Sequence, residues 1–230
     1  IRRQRQMCIR DRLWLARLSR LDIQQAICYL ATHVTVWSRN DDKRVKRLVD
    51  YIWTTSSFRL HGYIADRPEH LNLVLYCDAN FAGEVDDAKS TSGAIMYLIG
   101  PNSMFPLLWV SKRQTSVSRS TTEAEVVAMA NAVFGEGLPM LDLFELLLGR
   151  KVSLEILEDN QATMKVVQKR YSPKLRNNFR THKVNLASLK ELMDNGVMEL
   201  SYVRTDDQCA DIFTKGLQPA KWPNAIGIIG

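Results

Sequence analysis

Residues 71–78 read Leu-Asn-Leu-Val-Leu-Tyr-Cys-Asp, so that Leu71, Leu73, Leu75 and Cys77 share one face and an acid closes the run on the other. Alternation with period two is the signal of a strand. A carboxylate at the end of a buried strand costs stability unless it is solvated, paired or bound to metal, so the position of Asp78 constrains what surrounds it. Two more strands are expected at Ala94–Ile99 and Leu107–Ser111, joined across Gly100-Pro101-Asn102 as an antiparallel hairpin. A helix follows from Ser120 to Leu148, expected to be broken in two by Gly135, Gly137 and Pro139. Beyond it lie a strand at Val152–Leu157, helices at Asn160–Gln168 and Thr181–Met193, a strand at Val197–Val203 and a last helix from Asp207. A three-strand meander followed by alternating elements implies an α/β fold: a mixed five-stranded sheet flanked by helices.

The region ahead of this sheet has helical periodicity instead. Leu13, Leu15, Ile23, Ala26, Ile27 and Leu30 form one stripe, and Val45, Leu48, Val49 and Ile52 another, separated by the polar Ser38-Arg39-Asn40-Asp41-Asp42. A hairpin of that size is expected to be too small to bury its own face and to need an outside surface. With 230 residues and 46% apolar composition, the chain has room for one ordinary core and a smaller appendage. The expected division is a small helical segment over 1–65, an α/β domain over 70–217 and a tail over 218–230.

A net charge of +6 fits a polyanionic partner without requiring one. Cys8, Cys28, Cys77 and Cys209 lie far apart with no C-x-x-C pair, which signals neither zinc nor a disulfide framework and suits reduced, intracellular thiols. No run reaches the roughly 18 uninterrupted apolar residues of a spanning helix, so no membrane partner is expected. The start at Ile1 is read as a piece of a longer chain.

Four acids stand out by position. Asp78 is followed by the small residues Ala79, Ala82 and Gly83, which leave space for a ligand, although a solvated turn would also suit it. In Ser120-Thr121-Thr122-Glu123-Ala124-Glu125, Ser120 and Glu123 form an S-x-x-E capping box, with Glu123 reaching back to the Ser120 amide. Glu125 is left without such a task, near Met129 and Ala132 at the edge of the apolar face. Asp159 ends a strand within Glu158-Asp159-Asn160-Gln161 and is equally placed to cap the next helix. Asp211 lies in the run Asp207-Gln208-Cys209-Ala210-Asp211, where a solvent-facing helical acid is the plainer alternative.

Taken in order, these segments resemble the ribonuclease H domain of Ty1/copia-type retrotransposon polyproteins. Tyr76-Cys77-Asp78-Ala79-Asn80-Phe81-Ala82-Gly83 is similar to Y-S-D-A-D-W-A-G, and Lys89-Ser90-Thr91-Ser92-Gly93 matches K-S-T-S-G. Trp109-Val110-Ser111-Lys112-Arg113-Gln114 resembles W-x-S-K-K-Q, and Ser120 to Glu125 reproduces S-T-T-E-A-E. Glu158 to Gln161 is similar to C-D-N-Q, and Ala210-Asp211-Ile212-Phe213-Thr214-Lys215 reproduces A-D-I-F-T-K. Leu13-Trp14-Leu15-Ala16-Arg17 and Arg20-Leu21-Asp22-Ile23 resemble the end of the family's reverse transcriptase, whereas residues 1–12 depart from it and read as non-native.

The resemblance implies a metal-dependent endoribonuclease that cuts the RNA strand of RNA–DNA hybrids during reverse transcription. It would act in a cytoplasmic particle or the nucleus, with the polymerase's palm and fingers as an upstream partner. Asp78 would bridge two Mg²⁺ ions, with Mn²⁺ also suitable; Glu125 and Asp159 would share one ion's side with the substrate, and Asp211 would hold the other. Selection of the 2′-hydroxyl is expected at Glu125 or at Asn160 and Gln161. Contacts to the phosphate backbone are expected from Lys165, Lys169, Arg170, Lys174, Arg176, Arg180 and Lys183. Asn80 replaces an acid of the motif and is taken as non-catalytic, and His182 is read as an exposed, inert histidine. The alternative on the same fold is a decayed module that clamps the hybrid without cutting it, against which the retention of all four acids argues.

Overall fold

The computed structural model describes residues 2–83, 88–172, 175 and 181–230. The chain forms two compact units, Ile1–His61 and Gly62–Gly230.

In the first unit, helices α1 (Arg2–Leu18), α2 (Gln24–Thr32) and α3 (Arg39–Thr54) bury Ala16, Ile23, Ile27, Leu30 and Leu48 against one another. The apolar stripes therefore have partners within the unit. The helix ahead of residue 13 supplies a third wall, and Ile9 joins that core. Ser38 starts α3 through a capping box with Asp41: its hydroxyl accepts from the Asp41 amide at 3.4 Å, and its own amide donates to the Asp41 carboxylate at 2.8 Å.

The second unit is built on strands β1 (Asn72–Asn80), β2 (Thr91–Gly100), β3 (Ser103–Arg113), β4 (Leu154–Glu158) and β5 (Met198–Tyr202), side by side in the order β3-β2-β1-β4-β5. The first three run antiparallel, while β1–β4 and β4–β5 are parallel. This is the mixed five-stranded, helix-flanked sheet expected from the pattern of elements. Leu73, Leu75 and Cys77 of β1 share a face with Met96 and Leu98 of β2 and with Leu154 and Ile156 of β4. That face packs under Val126, Met129 and Val133, on and just beyond helix α4 (Thr121–Ala132).

Pro139 and the two glycines do not break the long helix. The backbone passes from α4 through a π-helical turn at Val133–Gly137 into α5 (Leu138–Leu148), with the Leu138 amide donating to the Val133 carbonyl. Pro139 falls in the first turn of α5, where a missing amide costs least. The joined run Thr121–Leu148 is long and apolar enough to cross a membrane by length and composition, but half of its apolar window lies buried in this core.

The third strand is longer than expected. It takes in Pro106, opposite Tyr97 at a register shift, and an edge strand tolerates the absent donor there. Helices α6 (Gln161–Lys169) and α7 (Leu186–Asp194) flank the parallel side. The latter starts later than expected, because Lys183 takes a positive φ of 61° and Asn185 caps the helix, accepting from the Ala187 amide at 3.0 Å.

The opposite face of the sheet carries α8 (Asp211–Thr214) and α9 (Trp222–Ile229). The stretch expected as a tail holds α9, where the Tyr97 hydroxyl donates to the Ile229 carbonyl at 3.3 Å. Gly93 lies opposite Asp78 and lets α8 approach: a Cβ there would stand 2.5 Å from Thr214 Cγ2 and 2.9 Å from Phe213 Cβ.

Candidate active site

Strands β1 and β4 run parallel, so their C-terminal ends lie side by side at one edge of the sheet, with α4 and α8 both packed on β1. Asp78 points to the α8 face and is 4% exposed. The Thr214 hydroxyl donates to its Oδ2 at 2.5 Å. Burial, and then the negative charge of Asp211, push Asp78 up to about 7, against the pull of Lys215 and the Thr214 hydroxyl. Asp211 opens α8, and the Lys215 ammonium donates to its Oδ1 at 2.6 Å. Burial works against the charge of Lys215, but Asp78 and Asp211 outweigh it and hold the ammonium firmly protonated.

Glu125 reaches the same edge from α4. It is 4% exposed, and its buried Oε2 has no hydrogen-bond partner among the described residues. Burial, then Asp78, Glu158 and Asp159, raise its pKa strongly, with the Ala79 amide only partly opposing them. Asp159 is half-buried in the turn after β4, and its charge bears on Asp78, Glu125 and Lys215. It does not cap α6; Asn160 does, its Oδ1 accepting from the Ala162 amide at 3.0 Å and the Thr163 amide at 3.1 Å. The four acids singled out in the sequence are thus brought into one electrostatic neighbourhood.

Among the described residues, no three His, Cys, Asp or Glu side chains stand together closely enough to hold a metal ion as they are. The donor set nevertheless fits a hard divalent cation. Every candidate ligand is a carboxylate, and Glu125 Oε2 is a buried acceptor with nothing to accept from among the described residues. Burial and mutual repulsion disfavour leaving such acids ionised without a counter-charge.

Several motif residues hold the site's frame rather than facing its acids. Gln114 Nε2 donates to Ser92 Oγ at 3.0 Å and to the Ala124 carbonyl at 2.9 Å, while its Oε1 accepts from the Ser118 hydroxyl at 3.0 Å. One buried amide therefore ties β2 and the end of β3 to the helix that carries Glu125. On the other face, Gln208 Nε2 donates to the Cys77 carbonyl at 3.1 Å and fixes the approach to α8. The sequence showed Gln114 only as the end of a motif and Gln208 only within a run, and gave neither a role, because each acts through neighbours distant along the chain.

Glu123 departs from its expected contact by accepting from the Arg119 amide at 2.6 Å rather than from the Ser120 amide. His182 is not exposed: its side chain is 1% accessible, with Nε2 3.5 Å from Glu123 Oε1. Its burial depends on a helix some sixty residues earlier in the chain and was invisible locally. Glu158, read only as the end of a strand, is wholly buried beside the four acids.

Among the residues expected to contact nucleic acid, Asn160 is committed to its cap. Gln161, Lys165 and Lys169 are exposed at four-residue spacing along one side of α6, leading away from the acidic edge. Arg170 is paired with Asp194, which Lys190 also contacts, and Lys183 is exposed. Lys174, Arg176 and Arg180 lie outside the described residues.

No family model matches the chain. It is 28% identical over 212 residues to the Retrovirus-related Pol polyprotein from transposon RE1 of Arabidopsis thaliana, covering 92% of this chain and 14% of that polyprotein. It is likewise 28% identical over 216 residues to the polyprotein from transposon RE2 of the same plant, again over 92% of this chain and 14% of the relative. The chain therefore spans a small part of the length of these relatives. Among solved structures, the N-terminal ribonuclease H domain of a Mycobacterium tuberculosis protein aligns with a TM-score of 0.41 at 13% identity, over 68% of this chain and 94% of that one.

Proposed function

We propose that this chain, a homologue of Ty1/copia-type retrotransposon Pol polyproteins, is a ribonuclease H that hydrolyses the RNA strand of RNA–DNA hybrids during reverse transcription. The observation that carries this reading is the meeting of Asp78 and Glu125 from opposite faces of the sheet at one strand edge, both buried, with Glu125 Oε2 unpartnered among the described residues. Asp78, Glu125, Asp159 and Asp211 would hold two Mg²⁺ ions, or Mn²⁺ in their place. When bound, such a pair activates a water and stabilises the leaving 3′-oxygen of a phosphodiester.

The protein's own residues do the rest. Thr214 fixes one oxygen of Asp78, and Lys215 orients Asp211. Gln114 and Gln208 hold the two helices at the distance the strand edge sets. Gln161, Lys165 and Lys169 offer a polar and basic track for the hybrid's backbone, with Gln161 nearest the acids. In this reading the domain works inside the cell, in a cytoplasmic particle or the nucleus, and the upstream polymerase delivers the hybrid.

The test is cleavage of an end-labelled RNA–DNA hybrid by the purified chain with and without Mg²⁺, using double-stranded DNA as the wrong substrate. Mg²⁺-dependent cutting of the RNA strand alone is expected. Salt-sensitive binding without any cutting would replace this reading with a hybrid clamp.

A further inference from the structure

Glu125 is held less by its own bonds than by the helix turn that carries it. The Ala79 amide bears on its carboxylate, but the buried Oε2 has no hydrogen-bond partner among the described residues. Where the carboxylate points therefore depends on where the first turn of α4 sits. Both residues just before Glu125 are pinned. The Ala124 carbonyl accepts from Gln114 Nε2 at 2.9 Å. The Glu123 amide donates to the Ser120 hydroxyl at 3.2 Å, and its Oε2 accepts from the Arg119 amide at 2.6 Å. Its remaining oxygen, Oε1, lies 3.5 Å from Nε2 of His182, which comes from far along the chain.

The His182 side chain is 1% accessible, and Nε2 has no other partner among the described residues. Burying a ring nitrogen without a hydrogen bond is costly, so an apolar side chain would fill this space better if filling it were the only task. Donation from Nε2 to Glu123 needs a proton on that nitrogen and no charge on the ring. The backbone around His182 is fixed at the same place. The Ser116 hydroxyl donates to the Thr181 carbonyl at 2.9 Å, tying the segment to the loop ahead of α4. Lys183 takes a left-handed φ of 61° between His182 and the buried Val184. A lysine keeps that uncommon conformation where its neighbours determine the path of the chain. Residues 181–184 thus form a fixed block against which Glu123 is braced.

We propose that His182 is a positioning residue: through Nε2 it braces Glu123, and so sets the turn of α4 from which Glu125 reaches the acidic edge. The proposal rests on the reading of the four acids as a ribonuclease H site.

The test compares the full chain with His182→Gln and His182→Met. Glutamine offers an amide donor near the place of Nε2, whereas methionine fills the space without one. Single-turnover cleavage of the hybrid in Mg²⁺ is followed over a range of protein concentrations, and thermal melting of the same preparations fixes a temperature at which all are folded. His182→Met is expected to lower the maximal rate by about tenfold to a hundredfold, the cost of a slightly misplaced acid, and to leave the half-saturating concentration largely unchanged. His182→Gln is expected to recover most of that rate. Glu123→Ala combined with His182→Met should be slowed no further than the slower single variant, because one residue acts through the other. A purely structural histidine would lower the melting temperature in both variants and leave the maximal rate of the folded protein as in the parent, which would overturn the proposal. Equal slowing by glutamine and methionine, or independent losses in the double variant, would also overturn it, while a cutting parent leaves the ribonuclease reading standing. A parent that does not cut the hybrid would overturn that reading and this proposal together.

Discussion

Asp41 in the helical unit and Asp78 in the sheet unit are both almost wholly buried, yet their surroundings treat them in opposite ways. Asp41 accepts from the Ser38 amide at 2.8 Å, the Ser38 hydroxyl at 2.6 Å and Arg44 at 2.8 Å, with His33 Nδ1 at 3.2 Å. Burial pushes it up, but the Ser38 bonds and Arg44 outweigh that and bring it down to about 2. Asp78 has one hydroxyl donor and lies in range of other acids, and it is driven up to about 7. The same side chain is a finished structural joint in one place and an unfinished one in the other. Buried acids left uncompensated by the fold are where a ligand's charge has work to do.

The sharpest way to break this comparison is Asp78→Asn. If the poor compensation of Asp78 serves chemistry, the substitution lowers hybrid cleavage by about a thousandfold or more. In the same variant the metal-free melting temperature should stay level or rise, because a repelled carboxylate has been removed. Single-turnover cleavage and thermal melting of one preparation check both halves. Retained cleavage, or a clear loss of metal-free stability, would place Asp78 in the same class as Asp41.

A packing change should act differently from a charge change. Gly93→Ala puts a methyl group 2.5 Å from Thr214 Cγ2, so α8 must shift, and Thr214 and Asp211 with it. Destabilisation of about 2 kcal/mol is expected from such overpacking, read by urea unfolding. Cleavage should fall as well, although position 93 carries no acid. An unchanged unfolding midpoint would show that α8 is not held as tightly as the contacts imply.

The two acids also give opposite pH signs. Asp41 has a folded pKa below its unfolded value of 3.8, so its contribution is present above about 4 and is lost as the pH falls towards about 2. Asp78 has a folded pKa above its unfolded value of 3.8, so its contribution is full below about 4 and is lost as the pH rises through about 7. In EDTA, the sheet unit should therefore weaken between pH 4 and 8 by at most about 1.4 kcal/mol per pH unit for each proton retained. Mg²⁺ should flatten that slope, and the helical unit should show none of it. Hydrogen exchange of amides in α3 and β1, followed separately across that range, distinguishes the two; parallel profiles would dissolve the contrast.

What the sequence made legible follows from which physical signals are local. Alternation from Leu71 to Cys77 fixed the face of β1, and Ser120 announced the start of α4 with its own hydroxyl. The joining of α4 to α5 was hidden because glycine and proline usually end helices, and only packing on the sheet makes a π-helical turn the better solution. The burial of Glu158 was hidden too, since its donor Cys77 sits eighty-one residues earlier. Asn160 misled in the other direction: a polar residue beside an acid suggested recognition, while its side chain was already committed to two backbone amides.

The smallest expected effect concerns the exposed side of α6, where charge is solvated and the fold asks nothing of it. Lys165 and Lys169 lie on that side at one-turn spacing, and neither is needed for the apolar core that Val167 joins. Each should therefore contribute through phosphate contact alone. Replacing either by alanine should leave the melting temperature unchanged and weaken hybrid binding a few-fold near physiological salt, lowering the slope of log affinity against log salt by about one. Arg170→Ala should do less, because Asp194 already holds its guanidinium. Fluorescence anisotropy of a labelled hybrid at several salt concentrations, in Ca²⁺ so that cleavage does not intervene, measures all three. Equal slopes for parent and lysine variants would move the backbone track off α6, whereas a larger effect from Arg170 would mean that its pairing with Asp194 gives way to the hybrid.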